Sequence, residues 1–562
     1  YIRFHFQMHG KRRILEKKRA LMIKYTPASE RNLSLFRTPY EQHLLSDNPW
    51  VQMEAIVPWD ELAKIFFKSM SSDKGRASVD LRIVIGAMLV KHLEGLSDED
   101  TIRYIQENIY AQFFVGLPTF QAEPIFVPSL FVEIRKRLGP EGSMRFNDLV
   151  LQHAVRLGAI KHKQKRNQQR SNDEDAGGQQ TPDKRSEAIA QSIEPSEQMS
   201  VSDENPQPNR GTLKVDATVA PQHIGYPTDT RLLAEAREYS EGLIDTLYEG
   251  SHNLWDKKPR TYRKIAAKKY LAFSKKRTRS GSIIKKARKQ QLNYLKRNLK
   301  TIDKMLDKLE ASGQPIPFAH KDLKRLWVIQ ELNRQQKILV SDNRRSISDR
   351  IVNIAQPYVR PVVRGKAGAN VEFGAKINLS ETEGFCRTDQ IDFTPFAEGT
   401  LLIEQIEAYK ALYGYYPELV LADKAYLSME NRNYLKAKGI RHAGPPLGRP
   451  PAMSAEEKRK RKKEQNKRSE IEGKFGQAKM KYGLDDIRMK RADTSKVAII
   501  FIFVALNIIK LARAFYCFFS RVLSGIRAYD VRKLTLCFIS GIEYMGCGLK
   551  VNPGYQFVGI RA

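Results

Sequence analysis

Arg468-Ser-Glu-Ile-Glu472-Gly-Lys-Phe-Gly-Gln-Ala-Lys479 is the stretch on which the reading of this chain turns. Its pattern predicts a helix from about 467 to 480. Residues four and seven apart on a helix share a face. Arg468, Glu472 and Lys479 therefore project together, while Glu470 points nearly the opposite way.

Working back from this helix, the sequence alternates between strand and helix signals. A basic run, Lys458–Lys463, follows a loop rich in Gly and Pro at 443–451. Before it come a short strand near 440–442, a helix over 429–438 and a buried strand, Glu418-Leu-Val-Leu-Ala, that ends at Asp423. An amphipathic helix is predicted for 397–414, and strands for 351–354, 371–379 and 385–393. At Leu213–Val219 apolar and polar residues alternate, as in a half-buried strand, with Asp216 in the middle. Strands first and strand–helix alternation after them predict an α/β core. If the strands of Asp216 and Asp423 are neighbours, both carboxylates converge on one sheet edge, and an acid from the late helix completes a set. Hard Mg²⁺ takes carboxylate oxygens. Two such ions, about 3.5–4 Å apart, stabilise the attacking and leaving oxygens of an in-line phosphoryl displacement. A strand-end Asp taken singly is more often a turn residue or a cap.

The 562 residues carry 96 Lys+Arg against 63 Asp+Glu, a formal net charge of +33. An excess of that size points to a polyanionic partner, of which nucleic acid is the commonest. It is concentrated: residues 257–300 hold 18 Lys/Arg and no acid, in a stretch with helical periodicity (Leu292, Leu295, Leu299, Ile302, Leu306). Such a stretch suits a phosphate backbone. Lys275, Lys276, Arg277 and Arg279 lie at its centre. Residues 44–160 read as a helical, globular N-terminal domain. One helix carries Leu81, Val84, Ile85, Met88, Leu89 and His92 and stops at Gly95. Ser97 and Asp100 resemble an N-terminal capping box for the next, and a third runs from about Leu130 to Leu138 and stops at Gly139. Spacing alone fits a helix-turn-helix-like DNA reader and a plain bundle equally.

Residues 161–210, polar and poor in large apolar side chains, read as a disordered linker. Residues 1–43 read as an extension; the chain begins at Tyr1, and Met8 and Met22 are candidate starts. The apolar run Val497–Leu506 is about half the length that crosses a bilayer and is taken as a buried helix. No secretory signal is evident at the start. Four scattered cysteines without a C-x-x-C pair argue against a disulfide framework or a structural zinc site. His223 and His442 lie near the Asp motifs, but a hard-metal site has no need of them.

Taken together, these motifs resemble the DDE transposases of bacterial insertion sequences, in the branch marked by a Tyr–Arg–Glu–Lys signature. Arg468, Glu472 and Lys479 match its Arg–Glu and Glu–Lys spacings; the Tyr position falls on Gln465, a departure. Lys214-Val-Asp216-Ala-Thr-Val resembles the first-Asp strand, and Leu419-Val-Leu-Ala-Asp423-Lys-Ala-Tyr426 the second-Asp motif. Arg76 through Gly139, ending Ile134-Arg-Lys-Arg-Leu-Gly139, is similar to the family's N-terminal helical domain, and Gly444-Pro-Pro-Leu-Gly-Arg-Pro450 to a loop of this group. The likeness covers about 35–510.

The resemblance implies an RNase H-like catalytic core over 211–515, with a basic helical insertion at about 220–350 and a divergent tail at 516–562. It implies catalytic, metal-holding Asp216, Asp423 and Glu472, two Mg²⁺ ions with Mn²⁺ as a substitute, and Arg468 and Lys479 on phosphate oxygens or on a flipped end nucleotide. Implied partners are double-stranded DNA, terminal inverted repeats and target DNA, with a homodimer joining two ends in a synaptic complex and no membrane. The setting would be prokaryotic, cytoplasmic and nucleoid-associated. Two rival readings are a catalytically decayed or domesticated DNA-binding protein and an RNase H-like nuclease without strand transfer.

Overall fold

A computed structural model describes residues 44–67, 79–160, 208–344, 346–363, 371–444 and 454–527, with side chains to 515. The N-terminal extension, most of the expected linker, the body of the Gly/Pro loop and the tail beyond 527 lie outside the described residues.

The mixed sheet is built on β1 (Thr212–Pro221). On one side β1 pairs antiparallel with β3 (Val371–Thr382), which pairs antiparallel with β4 (Phe385–Asp392). On the other it pairs in parallel with β5 (Leu419–Leu421), and β5 with β6 (Arg441–His442). A short β2 (Pro361–Val363) joins the start of β3. The order β4-β3-β1-β5-β6, three antiparallel strands followed by two parallel ones, is the RNase H-like arrangement anticipated above. Helix α11 (Leu402–Tyr413) and α12 (Met429–Ala437) make the crossovers around β5. Strand alternation divides β1 between two layers. Leu213 and Val215 pack on Leu402, Ile406 and Tyr409 of α11. Lys214 and Asp216 face α13 (Ala455–Tyr482).

Among the described residues between β1 and β3 are four α-helices, α7 (Asp229–Gly250), α8 (Arg263–Ser274), α9 (Gly281–Ala311) and α10 (His320–Ser341). They bury their own core, with Leu295, Ile302 and Met305 of α9 against Leu233, Ile244, Ile329 and Leu332. Asp229 ties entry to exit: it pairs with Arg350 at 2.6 Å and Arg288 at 3.1 Å, and accepts from Gln336. Residues 351–354, expected as a strand, form none. Ile351 and Ile354 are buried in this helical core instead, so the apolar run reflects packing without a ladder.

Among the described residues six helices precede the sheet: α1 (Pro49–Ile56), α2 (Trp59–Phe67), α3 (Leu81–Glu94), α4 (Asp98–Glu107), α5 (Ile109–Val115) and α6 (Leu130–Arg156). Gly95 ends α3 in the left-handed conformation, and Ser97 caps α4 by accepting the Asp100 N–H. Gly139 (φ 62°) breaks α6 as anticipated, but the helix restarts at Pro140, where the proline ring suits a first turn. α3 is buried on nearly all sides, and α4 opens with Asp98, Glu99 and Asp100.

This bundle shares one continuous core with the sheet, through α14 (Ala492–Arg527). Its segment Ala492–Phe515 is long and apolar enough to cross a membrane, but 72% of the apolar window is buried within the fold. α14 also closes the sheet's edge. The Asn507 side chain accepts the Cys386 N–H at 2.8 Å and donates to the Cys386 carbonyl at 2.7 Å, while Asn147 of α6 donates to the same carbonyl at 3.1 Å. Two buried amides thus stand where another strand could pair. Asn507→Ala leaves the Cys386 N–H buried and unpaired, which costs about 1–3 kcal/mol. Urea denaturation should show that loss with an unchanged slope; a loss within error would remove the amide clamp from the account.

Candidate active site

The three acids singled out from the sequence line one cavity of about 510 Å³, together with Arg468, Lys479, Lys376 and Glu398. The sheet register explains why. Lys214 of β1 lies level with Leu421 of β5. Asp216 lies two residues past Lys214, and Asp423 two past Leu421, just beyond the end of β5; both line the cavity. Asp216 is partly buried, with its side chain 17% exposed, and accepts the Ala217 N–H at 2.8 Å. Asp423 caps the single turn Lys424–Tyr426, accepting the Lys424 N–H at 2.7 Å, so the cap role open to any strand-end Asp is also filled here.

α13 supplies the third side of the cavity. Ile471, Phe475, Ala478 and Tyr482 anchor it in the core, and Arg468, Glu472 and Lys479 line the cavity as their spacing requires. Glu470 points elsewhere and pairs with Lys214 at 2.5 Å; Lys214 also pairs with buried Glu381 at 2.6 Å. The helix begins twelve residues before the predicted start, at a capping box made by Ser454 and Glu457. It therefore includes the basic run Lys458–Lys463. Gln465 is exposed on the same helix.

Arg468 organises the charges. One of its terminal nitrogens is 3.6 Å from Asp216 Oδ2 and the other 3.4 Å from Glu472 Oε1. Arg468 thus pairs within its own helix and with a strand acid at once. Burial raises the Asp216 pKa above the ordinary aspartate value; the Ala217 N–H and Arg468 lower it, and Glu472 and Glu398 raise it.

Glu398 and Lys376 were not found from the sequence. Glu398 begins the turn before α11 and is paired with Lys376 of β3 at 2.8 Å. An acid at a helix start is ordinarily explained by the helix dipole, so nothing in the sequence set it apart. Lys275, Lys276, Arg277 and Arg279 are exposed on the turn between α8 and α9 and do not line the cavity. Arg279 is occupied there, donating to the Ser274 and Lys276 carbonyls and stacking on Phe273. His223 pairs with Asp486 at 2.7 Å, and the Tyr426 hydroxyl donates to Asn378 at 3.0 Å.

The donor set fits a hard divalent cation in its chemistry: carboxylate oxygens, one of them desolvated and crowded by other carboxylates. In this arrangement no group of three His, Cys, Asp or Glu among the described residues is gathered closely enough to hold a metal ion. Arg468 stands between Asp216 and Glu472 instead.

Because its pKa is raised, Asp216 opposes folding as pH climbs from the ordinary aspartate value through the raised one. Glu472→Gln removes one carboxylate that raises it, and Arg468→Met removes the cation that lowers it. Carbon-detected NMR titration should find the Asp216 midpoint lower in the first variant and higher in the second. Identical midpoints would contradict the electrostatic coupling.

A family model for the transposase DDE domain matches residues 420–509, a span holding Asp423, Arg468, Glu472 and Lys479 but not Asp216. A second family model, a transposase domain, matches residues 38–137. Among curated proteins, the uncharacterized protein ORF8 in the nfe locus of Rhizobium meliloti is 26% identical over 213 residues, 37% of this chain and 79% of that protein. No solved structure matches the chain significantly. Matches to two transposase family models, in a chain whose sheet runs in RNase H order, support a likeness to the DDE transposases of insertion sequences.

Proposed function

We propose that the chain cuts insertion-sequence DNA at its ends and joins the freed 3′-OH to target DNA, with Asp216, Asp423 and Glu472 as the catalytic carboxylates. The observation that carries this reading is the meeting of these three acids with Arg468 and Lys479 around one cavity. Domains of this class generally use divalent metals. Here Asp216 and Asp423 would share one Mg²⁺ and Glu472 would hold a second, with Mn²⁺ as a substitute. When bound, such a pair stabilises the attacking and leaving oxygens of an in-line displacement.

The chain's own residues do the rest. Arg468 neutralises Asp216 and Glu472 in the free protein. On DNA its guanidinium turns to the phosphate and releases both carboxylates, while Lys479 holds a second phosphate oxygen as a point charge. Lys376 neutralises Glu398 at the rim of the same cavity. Water attacks a phosphodiester first and the 3′-OH attacks target DNA second, so no nucleophilic side chain takes part. The acid-free stretch 257–300, with Lys275, Lys276, Arg277 and Arg279, holds the DNA backbone. Residues 44–160, 211–515 and the insertion act as one unit on terminal repeats and target, as a homodimer bringing two ends together in a prokaryotic cytoplasm.

Purified protein, Mg²⁺ and a plasmid carrying the element should yield cut ends and joined products. Asp216→Ala, Asp423→Ala and Glu472→Ala should each lower cleavage at least about a hundredfold, about 2.7 kcal/mol of transition-state stabilisation. Cleavage without joining would favour the nuclease reading, and wild-type inactivity the decayed copy. Intact cleavage in any one variant would remove that residue from the centre.

A further inference from the structure

The insertion's smallest helix is also its most exposed. Among the twelve residues of α8, only Ala266 and Phe273 are buried. Its footing is narrow: Arg263 reaches back to Asp245 of α7 at 2.7 and 2.8 Å, and Gln291 of α9 donates to the Ala266 carbonyl at 3.2 Å. With 100° per residue, the stripe opposite Ala266 and Phe273 carries Lys264, Lys268, Leu271 and, just past the helix end, Lys275, flanked by Ala267 and Ala272. All of these are exposed, and Leu271 keeps 52% of its surface open. Ile265, on the flank, keeps 47%.

We propose that α8 lies in the major groove of duplex DNA and reads base edges there, which deepens the transposase reading and rests on it. Charge commits the occupant. The helix sits in a 44-residue stretch without a single acid, so a second copy of this face would meet its own lysines, whereas a polyanion is matched. The apolar side chains fix the mode of contact. Phosphate oxygens have no use for Leu271, Ala267 or Ala272, but thymine methyl groups in the major groove do. Size agrees: twelve residues make a rod of about 18 Å, and a groove about 12 Å wide admits one α-helix. Lys257 and Arg260 precede the helix (Lys258 between them is paired with Asp245 at 2.8 Å) and Lys275, Lys276 and Arg277 follow it, so cations stand at both ends to meet the phosphates of the groove walls.

The test is fluorescence-anisotropy binding of the full chain to two short duplexes of equal length, one from the DNA bordering the gene and one with that sequence scrambled. Lys268→Ala should weaken both duplexes alike and lower the salt slope by about 1. Leu271→Ala should weaken only the bordering duplex, about five- to tenfold, a range typical of one lost base contact, with an unchanged salt slope. Glucosylated hydroxymethylcytosine DNA, blocked in the major groove, should compete poorly against unmodified DNA. Leu271 is exposed, so its variant should keep the wild-type melting temperature. Wild-type binding of both duplexes by Leu271→Ala, or full competition by glucosylated DNA, overturns the proposal. Either result with cleavage intact leaves the transposase reading standing, whereas absent cleavage with α8 binding intact strikes that reading alone.

Discussion

The site depends on Lys214. Its ammonium is almost fully buried, between Glu381 of β3 and Glu470 of α13. Burial alone pulls its pKa down, and the two carboxylates more than offset that, so it stays charged. The pair with Glu381 is buried on both sides and cannot be broken cheaply, while Glu470, 60% exposed, holds Lys214 from the solvent side. Lys214 therefore fixes three elements at once: β1, the strand beside it and the helix that crosses them. Two residues on in β1 is Asp216, and two residues on in α13 is Glu472. The ion pair thus sets the spacing between a strand acid and a helix acid without being part of the centre.

A second constraint acts from behind the sheet. α14 is apolar enough to be mistaken for a membrane span, yet it is the axis on which the N-terminal bundle and the sheet's outer strands pack. Asn507 and Asn147 satisfy the Cys386 backbone from two different helices. Arg387 adds an ion pair from the same strand to Asp148 of α6 at 2.8 Å. The first helices of the chain are therefore structural supports of the sheet whatever else they bind. The insertion, by contrast, has its own core and its own closing node at Asp229, and it exposes most of its basic residues.

What the sequence revealed depended on whether a feature is local. The face of α13 was legible because helix spacing needs no partner. So was the strand ending at Asp423, a short apolar run between turn signals. The capping box Ser454–Glu457 sets the true start of α13, twelve residues before the start that its apolar spacing suggests. The run Ile351–Ile354 misled because burial against helices selects the same apolar residues as burial in a sheet. Glu398, and the bridging position of Arg468, were out of reach, since both follow from tertiary placement. The pairing of β1 with β5 could be supposed but not read, because register is fixed by contacts between strands some two hundred residues apart.

The central claim is that Asp216, Asp423 and Glu472 act as one metal centre. Replacing Mg²⁺ with Fe²⁺ and adding ascorbate and peroxide generates hydroxyl radicals at the bound ion, and mass spectrometry then maps where the backbone is cut. The account predicts cuts near residues 216, 423 and 472, all suppressed by excess Mg²⁺. Cuts confined to other regions, or cuts at these three that Mg²⁺ does not suppress, would contradict it.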